Sequence, residues 1–328
     1  MKRFASEQSG GRRTLRAPRL PREFYQRSTS ASLGFIAFAL ALWLLPGLLA
    51  NTLTHSQWLS VWLKPPLLLS LGFVAGQGLH LTGWVGHEGF HFNLLRNRLA
   101  SAIVGVVISS VTVVFVQVGV AVEHLNHHRY ANSSRDPDVA LFSRQRGFWS
   151  RLFLTRSRAN RAFARSAWRI LRGQPLGMAE RALPFSRRTY ARLAALNFAC
   201  CGAWLLVYAC WLSQAPISFL CYVGVPLCFA NLYSGLRPYT EHTATDEGLT
   251  TCARSRSHWF YALWYFGNAY HLEHHLYPTV PCYRLGRVHR RLIAQGFLPK
   301  AYVGFEPGGL RGYRWALGRY RYGSTAVE

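Results

Sequence analysis

The chain has 328 residues, of which 50% are apolar and 16% charged, whereas about a quarter of the residues in a soluble protein are usually charged. Five long uncharged runs contain many of the apolar residues, which excludes an ordinary soluble domain. The net charge is +25, but the basic residues flank the apolar runs, which argues against nucleic acid as a partner.

The five apolar runs are each close to the roughly 20 residues that a helix needs to cross a bilayer. Four of them are predicted to cross, at 32–50, 65–86, 193–212 and 217–236. The sequence therefore predicts an all-α integral membrane protein with four transmembrane helices. A helical cap on the cytoplasmic side would carry the histidine-rich segments described below.

The basic residues are unevenly distributed along the chain. Eight precede the first apolar run, fifteen lie between Arg129 and Arg192, and eleven follow from Arg254 onward. The four crossings place the segments 51–64 and 213–216 outside, and the only lysine or arginine in these two segments is Lys64. By the positive-inside rule we expect both termini in the cytoplasm. A bacterial inner membrane is favoured over the endoplasmic reticulum.

The remaining apolar run, 99–122, is predicted not to cross the membrane. A crossing would place the histidines and arginines that follow it outside, away from the other histidines. We therefore expect a re-entrant or protein-packed segment. In the segment 141–173, apolar residues recur at helical spacing among arginines, which favours interfacial helices in the headgroup plane over a solvated basic loop.

Three regions follow from these predictions. A basic cytoplasmic segment covers residues 1–30, the membrane domain covers 31–298, and a cytoplasmic tail covers 299–328. The seven cysteines show no C-x2-C spacing, and five of them lie in the last two apolar runs. We expect these five to be small core residues of membrane helices rather than a disulfide framework or a zinc site.

Eight of the thirteen histidines fall into three clusters within the motifs HEGFH, HLNHH and HLEHH. On a helix, residues three and four apart share one face, so each cluster would present its imidazoles together. Neutral imidazole is a common ligand of iron, zinc and copper. Because one ion cannot use eight imidazoles, the pattern predicts more than one metal ion. The eight residues are His87, His91, His124, His127, His128, His271, His274 and His275.

The other histidines lie outside these clusters. His80 is expected to be a hydrogen-bonded core residue or to line a tunnel, because it lies about two turns before His87. His55, His258 and His289 are expected to be ordinary surface or interface residues. The aromatic run 259–266 either walls an acyl tunnel or packs at the membrane interface.

From about residue 80 to residue 292, the chain resembles the membrane fatty acid desaturase family, which includes related hydroxylases and carotenoid ketolases. The resemblance rests on HEGFH, HLNHHRYANSSRDPDVA, RPYTEHTATDEG and NAYHLEHHLYPTVPCYRLGRVHRRL. It implies a centre of two iron ions at the cytoplasmic ends of the spans, with His242 as a further ligand. It also implies oxidation of an unactivated C–H bond of a lipid acyl chain with O2.

Nine imidazoles suit two ions, and the scarce acidic residues near them are candidates for hydrogen bonds to the ligands. Simple solvation or an ion pair with arginine is the alternative for each. Asn268 could hold an iron-bound water or be an ordinary helix-surface amide. No catalytic residue is predicted beyond the ligands themselves. The candidates around the ligands are Glu88, Glu123, Asp136, Asp138, Glu241, Asp246, Glu247, Glu273 and Asn268.

Several functions remain open on the sequence. The motifs favour a fatty acyl desaturase, with a hydroxylase or a carotenoid ketolase or hydroxylase as alternatives. A membrane metal transporter would place its ligands near the middle of the spans, and a basic membrane-anchored scaffold would not need histidines at ligand spacing. Because no electron-transfer motif is visible, we expect a separate acidic carrier, such as a ferredoxin, to supply electrons to the basic face.

Overall fold

The computed structural model describes residues 16–113, 115–175, 184–298, 314, 316 and 317. The first half of the basic N-terminal segment and nearly all of the tail 299–328 lie outside the described residues. Within the described part, every regular element is helical and no strand is present. The predicted all-α class is therefore confirmed.

Four helices form the first half of the membrane domain. Ser28 caps the first of them by accepting a hydrogen bond from the backbone N–H of Ala31. A short 3-10 turn, Arg22–Tyr25, precedes it, and another, Ser110–Thr112, follows the third. The helices are α1 (Thr29–His55), α2 (Lys64–Phe90), α3 (Arg98–Ser109) and α4 (Gln117–Tyr130).

Three helices then lead to a long hairpin, and three short helices close the domain. Ser186 caps the first arm of the hairpin, while a π-helical turn, Leu220–Gly224, joins the two parts of the second arm into one continuous helix, Pro216–His242. These helices are α5 (Pro137–Phe142), α6 (Phe148–Phe153), α7 (Thr155–Leu171), α8 (Arg187–Gln214), α9 (Pro216–Phe219), α10 (Val225–His242), α11 (Trp259–Trp264), α12 (His271–Leu276) and α13 (Cys282–Ala294).

Among the described residues, three helices are long and apolar enough to cross a membrane: α1, α8 and Pro216–His242. They contain three of the four predicted spans. The fourth, 65–86, lies within the 27-residue helix α2, which is not among these three. Helix α2 is less apolar because its second half is buried inside the protein and carries Gln77, His80 and Thr82 there.

The apolar run 99–122 does not form one straight helix. Helices α3 and α4 meet at an angle of 115°. Val113 lies in this bend with φ of 50°, a conformation that a β-branched residue rarely adopts. The bend brings the histidine-bearing end of α4 to the end of α2, and the bent pair fits either a broken span or the predicted re-entrant segment.

Helix α2 packs very closely against its neighbours. A Cβ atom on Gly78 would lie 2.3 Å from the backbone nitrogen of Trp43 in α1, and one on Gly89 would lie 2.8 Å from the Cα of Gly105 in α3. Only glycine permits such approaches between helix backbones. These contacts place the end of α2 at the centre of the domain.

The segment 141–173 is helical over most of its length, as expected. Phe163 is buried in a small core, whereas Trp149, Phe153 and Trp168 are exposed apolar side chains among arginines. All seven cysteines are free, so no disulfide is present. The expectation that the cysteines of α8 to α10 are core residues holds for Cys201 and Cys221, which are buried, and is wrong for two cysteines that are exposed. Those exposed residues are Cys210 and Cys228.

The α1–α2 contact gives a test of the fold. We expect Gly78→Ala to lower the free energy of unfolding in detergent by about 1–3 kcal/mol, because its Cβ would clash with backbone rather than with a movable side chain. Gly34→Ala in α1 is the control, since nothing lies within 4 Å of its added Cβ. Equal melting temperatures for the two variants would contradict the close packing of α1 and α2.

Candidate metal centre

Four separate stretches of the chain deliver histidines to one place. His87 lies in the last turn of α2, and His91 caps that helix. The second cluster occupies the last turns of α4, His242 is the final residue of α10, and the third cluster lies on α12. All nine histidines that were candidates for ligands therefore meet at the ends of helices.

The nine imidazoles form two groups, and within each group the candidate ligand nitrogens all lie within 4.8 Å of one another. Each group draws on at least three of the four stretches, so neither is a local accident of helical spacing. The first group contains His87, His91, His124, His128 and His274. The second contains His127, His242, His271 and His275.

The spacing of the Nε2 atoms fits a metal ion. In the first group, His124 lies 2.8 Å from His87 and 2.9 Å from His128, measured between Nε2 atoms. In the second, His271 lies 3.1 Å from both His242 and His275. Two imidazole nitrogens at right angles, each about 2.1 Å from a metal, would lie about 3.0 Å apart.

The partners of two Nδ1 atoms fix the ring tautomers in the ligating form. The carbonyl oxygen of Cys252 can only accept, so His242 must donate its Nδ1–H to it over 3.0 Å. His127 Nδ1 lies 2.9 Å from a carboxylate oxygen of Asp136 and donates to it in the same way. In the neutral form of each ring, Nε2 then has a free lone pair that points into the second group.

Burial keeps the histidines of α12 neutral. Removal from solvent lowers the pKa of His271, His274 and His275 well below the ordinary value, and neighbouring imidazoles lower it further. Neutral imidazole is the form that binds metal, so these three side chains need not lose a proton to act as ligands at physiological pH.

Four of the predicted carboxylates lie against the histidines. Besides Asp136, Asp138 lies 3.7 Å from His127 Nδ1, and Glu88 lies 3.3 Å from His87 Nδ1. Glu241 lies 3.5 Å from Nε2 of His271, on the side where the second group of ligands converges. Glu241 also forms an ion pair with Arg237, one helical turn earlier.

Three other candidates lie away from the ligands. Glu123 accepts a hydrogen bond from Ser166 of α7, and Asp246 accepts from Gly248 and Thr251 in its own loop. Asn268 is not a helix-surface amide, because α12 begins only at His271. Asn268 instead lies buried in a turn, where its side chain donates to the carbonyl of Tyr265.

Glu273 contacts His289, which was predicted to be an ordinary surface or interface residue. His289 is buried, and its Nδ1 lies 2.5 Å from a carboxylate oxygen of Glu273, whose other oxygen accepts from Ser255. These bonds attach the six-residue helix α12 to α13. The helical pattern could have revealed His289, because Leu285 and Leu292, four residues before and three after it, are buried on the same face.

Arg237 is a second residue that the sequence analysis missed. It is buried, pairs with Glu241, donates to the carbonyl of Asn268 over 2.9 Å and lies 4.1 Å from the ring centre of Trp84. A basic residue at the end of an apolar run, five residues before a histidine, was the available signal.

An apolar cavity of 330 Å³ begins at the histidines and runs along α10. His80 lines it, with Nε2 accepting a hydrogen bond from Trp84, so both expectations for His80 hold. The aromatic run 259–266 does not contribute to the lining. The apolar part of the wall includes Leu79, Phe115, Val120, Phe142, Phe163 and Leu227.

The bond between His127 and Asp136 gives a test of the centre. We expect Asp136→Asn to weaken iron binding about 10- to 100-fold, because an amide no longer holds the Nδ1–H of His127 as firmly. Asp246→Asn is the matched control, since the side chain of Asp246 accepts hydrogen bonds from Gly248 and Thr251 of its own loop and not from a histidine. Iron affinities from competition with a chelator would show the difference, and equal affinities would argue against a role for Asp136.

The comparison with known proteins agrees with the geometry of the site. No curated protein gives a significant match to the chain. The family model described as fatty acid desaturase matches residues 56–308, a range that contains every histidine of both groups and most of the 328-residue chain. With a helical membrane domain and two histidine groups beside an apolar cavity, this match shows that the chain belongs to the fatty acid desaturase family.

Proposed function

We propose that the chain is a membrane-bound desaturase that introduces a carbon–carbon double bond into a fatty acyl chain, using two iron ions, O2 and electrons from a separate carrier. This proposal rests on one observation: nine imidazoles converge in two groups at the mouth of an apolar cavity. Both groups offer nitrogen ligands only, which suits iron, and their spacing fits two ions.

The reaction balances as a four-electron reduction of O2. Two hydrogen atoms leave adjacent carbons of the acyl chain, two further electrons come from the carrier, and two protons complete the formation of two water molecules. Two iron ions bound by the histidines would supply the oxidising power needed to break an unactivated C–H bond. The protein's own residues hold the ligands, place the acyl chain and exclude bulk water.

Individual residues divide these tasks between them. Asp136 and the Cys252 carbonyl hold the imidazoles of His127 and His242 with Nε2 directed inward. Phe115 and Phe163 line the cavity with apolar surface that favours an acyl chain over water. Because the cavity starts at the ligands, a chain lying in it would bring a methylene group to the metal centre.

We further propose that α1, α2, α8 and Pro216–His242 cross a bacterial inner membrane, with both termini in the cytoplasm. The ends of α2 and α10 carry histidines of the two groups, which supports a position of both ends on the same side of the lipid. The exposed apolar side chains of α6 and α7, among arginines, support a position in the headgroup plane. A metal transporter is disfavoured because the ligands lie at helix ends.

Iron content and lipid products test the desaturase proposal together. We expect about two iron ions per purified chain, and we expect His128→Ala and His275→Ala, one from each group, to lose iron and to lower activity by more than about 100-fold. His55→Ala is the control because His55 lies outside both groups. Full activity without iron would refute the proposal.

Mass spectrometry of lipids after expression separates the related activities. An acyl chain that loses two hydrogens supports desaturation. An acyl chain that gains one oxygen would instead identify a hydroxylase, and changed pigments would identify a carotenoid ketolase or hydroxylase.

The electron carrier is proposed to be acidic and to dock beside His128. Arg129 and Arg135 are exposed next to the second histidine cluster, so an acidic carrier such as a ferredoxin would be drawn towards the centre. We expect the double variant Arg129→Glu, Arg135→Glu to raise the KM for such a carrier about tenfold at low salt. Arg188→Glu, at the exposed start of α8, should leave the KM unchanged, and equal effects would exclude this docking surface.

A further inference from the structure

The wall of the cavity is not uniformly apolar. Two polar side chains from consecutive turns of α7, Arg156 and Asn160, line it opposite α10. The backbone of Arg156 lies next to Gly235 of α10, seven residues before His242. Along a helix this separation corresponds to about 10 Å, so the pair lies partway along the cavity rather than at the metal centre.

Arg156 lies between aromatic rings, and the negative charge of Asp138 in the same cavity favours its cationic form. Its guanidinium carbon lies 4.0 Å from the ring centre of Phe115 and 5.8 Å from that of Phe163. Within the described part of the chain it forms no ion pair, although Asp138 lines the same cavity. Burial lowers the pKa of Arg156 to about 9, so the side chain stays cationic at neutral pH.

Both residues present a buried polar atom without a protein partner. Nη2 of Arg156 and Oδ1 of Asn160 are shielded from solvent, and neither has a hydrogen-bond partner among the described residues. An unpaired polar atom in such a place is costly, and a guanidinium can only donate. The complementary group must therefore offer an oxygen acceptor. The amide of Asn160 can add a donor, since its orientation can reverse.

We infer that Arg156 and Asn160 form a subsite that binds the oxygen-bearing end of the acyl substrate, either the carbonyl of an ester or a free carboxylate. This inference rests on the proposed function, because an acyl chain has oxygen only at that end. Anchoring of the carboxyl end at a fixed distance from the histidines sets which carbons reach the metal centre. The subsite would thereby determine the position of the double bond.

Binding of three probes to the iron-loaded protein in detergent tests the subsite by calorimetric titration. The probes are palmitic acid, its methyl ester and hexadecane, which has the same chain length and no oxygen. We expect the wild type to prefer the oxygen-bearing probes over hexadecane by about 10- to 100-fold, and Arg156→Gln to remove most of that preference. Arg161→Gln, an exposed arginine of the same helix, should keep it.

The outcomes separate the possible sources of the oxygen. Tighter binding of the acid than of the ester identifies a carboxylate, and equal binding identifies a carbonyl. The same preference in the wild type and in Arg156→Gln overturns the inference. If Arg156→Gln does not fold, Asn160→Ala carries the test, with a smaller loss of preference expected. No redox step enters the titration, so its result is independent of whether the protein consumes O2 or forms an alkene.

Discussion

Nine imidazoles from four distant stretches must reach one point, and this requirement determines where the main helices end. Helix α2 ends at Phe90 with His91 as its cap, and α10 ends at His242, so both must end beside the same centre. The 115° bend between α3 and α4 serves the same requirement, because a straight helix would carry the second cluster away from the first. The close contacts of Gly78 and Gly89 hold α2 where its histidines can meet the others.

The charge distribution around the centre follows from the use of neutral ligands. Imidazoles leave the positive charge of bound ions uncompensated, and the chain as a whole is strongly basic. Asp136, Asp138 and Glu88 lie behind the rings, on the Nδ1 side, whereas Glu241 lies beside Nε2 of His271, and all four would balance that charge. Almost a third of the chain's thirteen acidic residues are thus placed around this site.

Local pattern was sufficient to predict the helical class, three apolar spans and the grouping of histidines, because each depends on neighbours along the chain. Helix α2 was predicted at the correct place, but its polar residues are explained only by the helices that bury them. Because Glu123 and Asp246 are close to histidines in sequence, they were predicted to contact the ligands. In the structure Glu123 bonds to α7 instead, and Asp246 bonds to its own loop. The orientation of a carboxylate depends on tertiary packing, which spacing does not encode.

The contacts that the sequence did not reveal are all long-range. His289 supports α12 from the following helix, and Arg156 reaches the cavity from α7. A histidine or arginine of this kind has no local signature that distinguishes it from the many basic residues at the surface. Only the folded arrangement shows which cation is surrounded by aromatic rings.

The order of the ligands along the chain has a consequence for biogenesis. One group needs both His87 and His274, and the other needs both His127 and His275, so neither is complete until translation has reached residue 274. The second group has only His127 before residue 242, so the helices that precede α10 must insert into lipid and pack before this group can form. Acquisition of metal is then a step of maturation, and the supply of cations in the cell at that moment, together with the shape of the finished site, decides which ion is taken up.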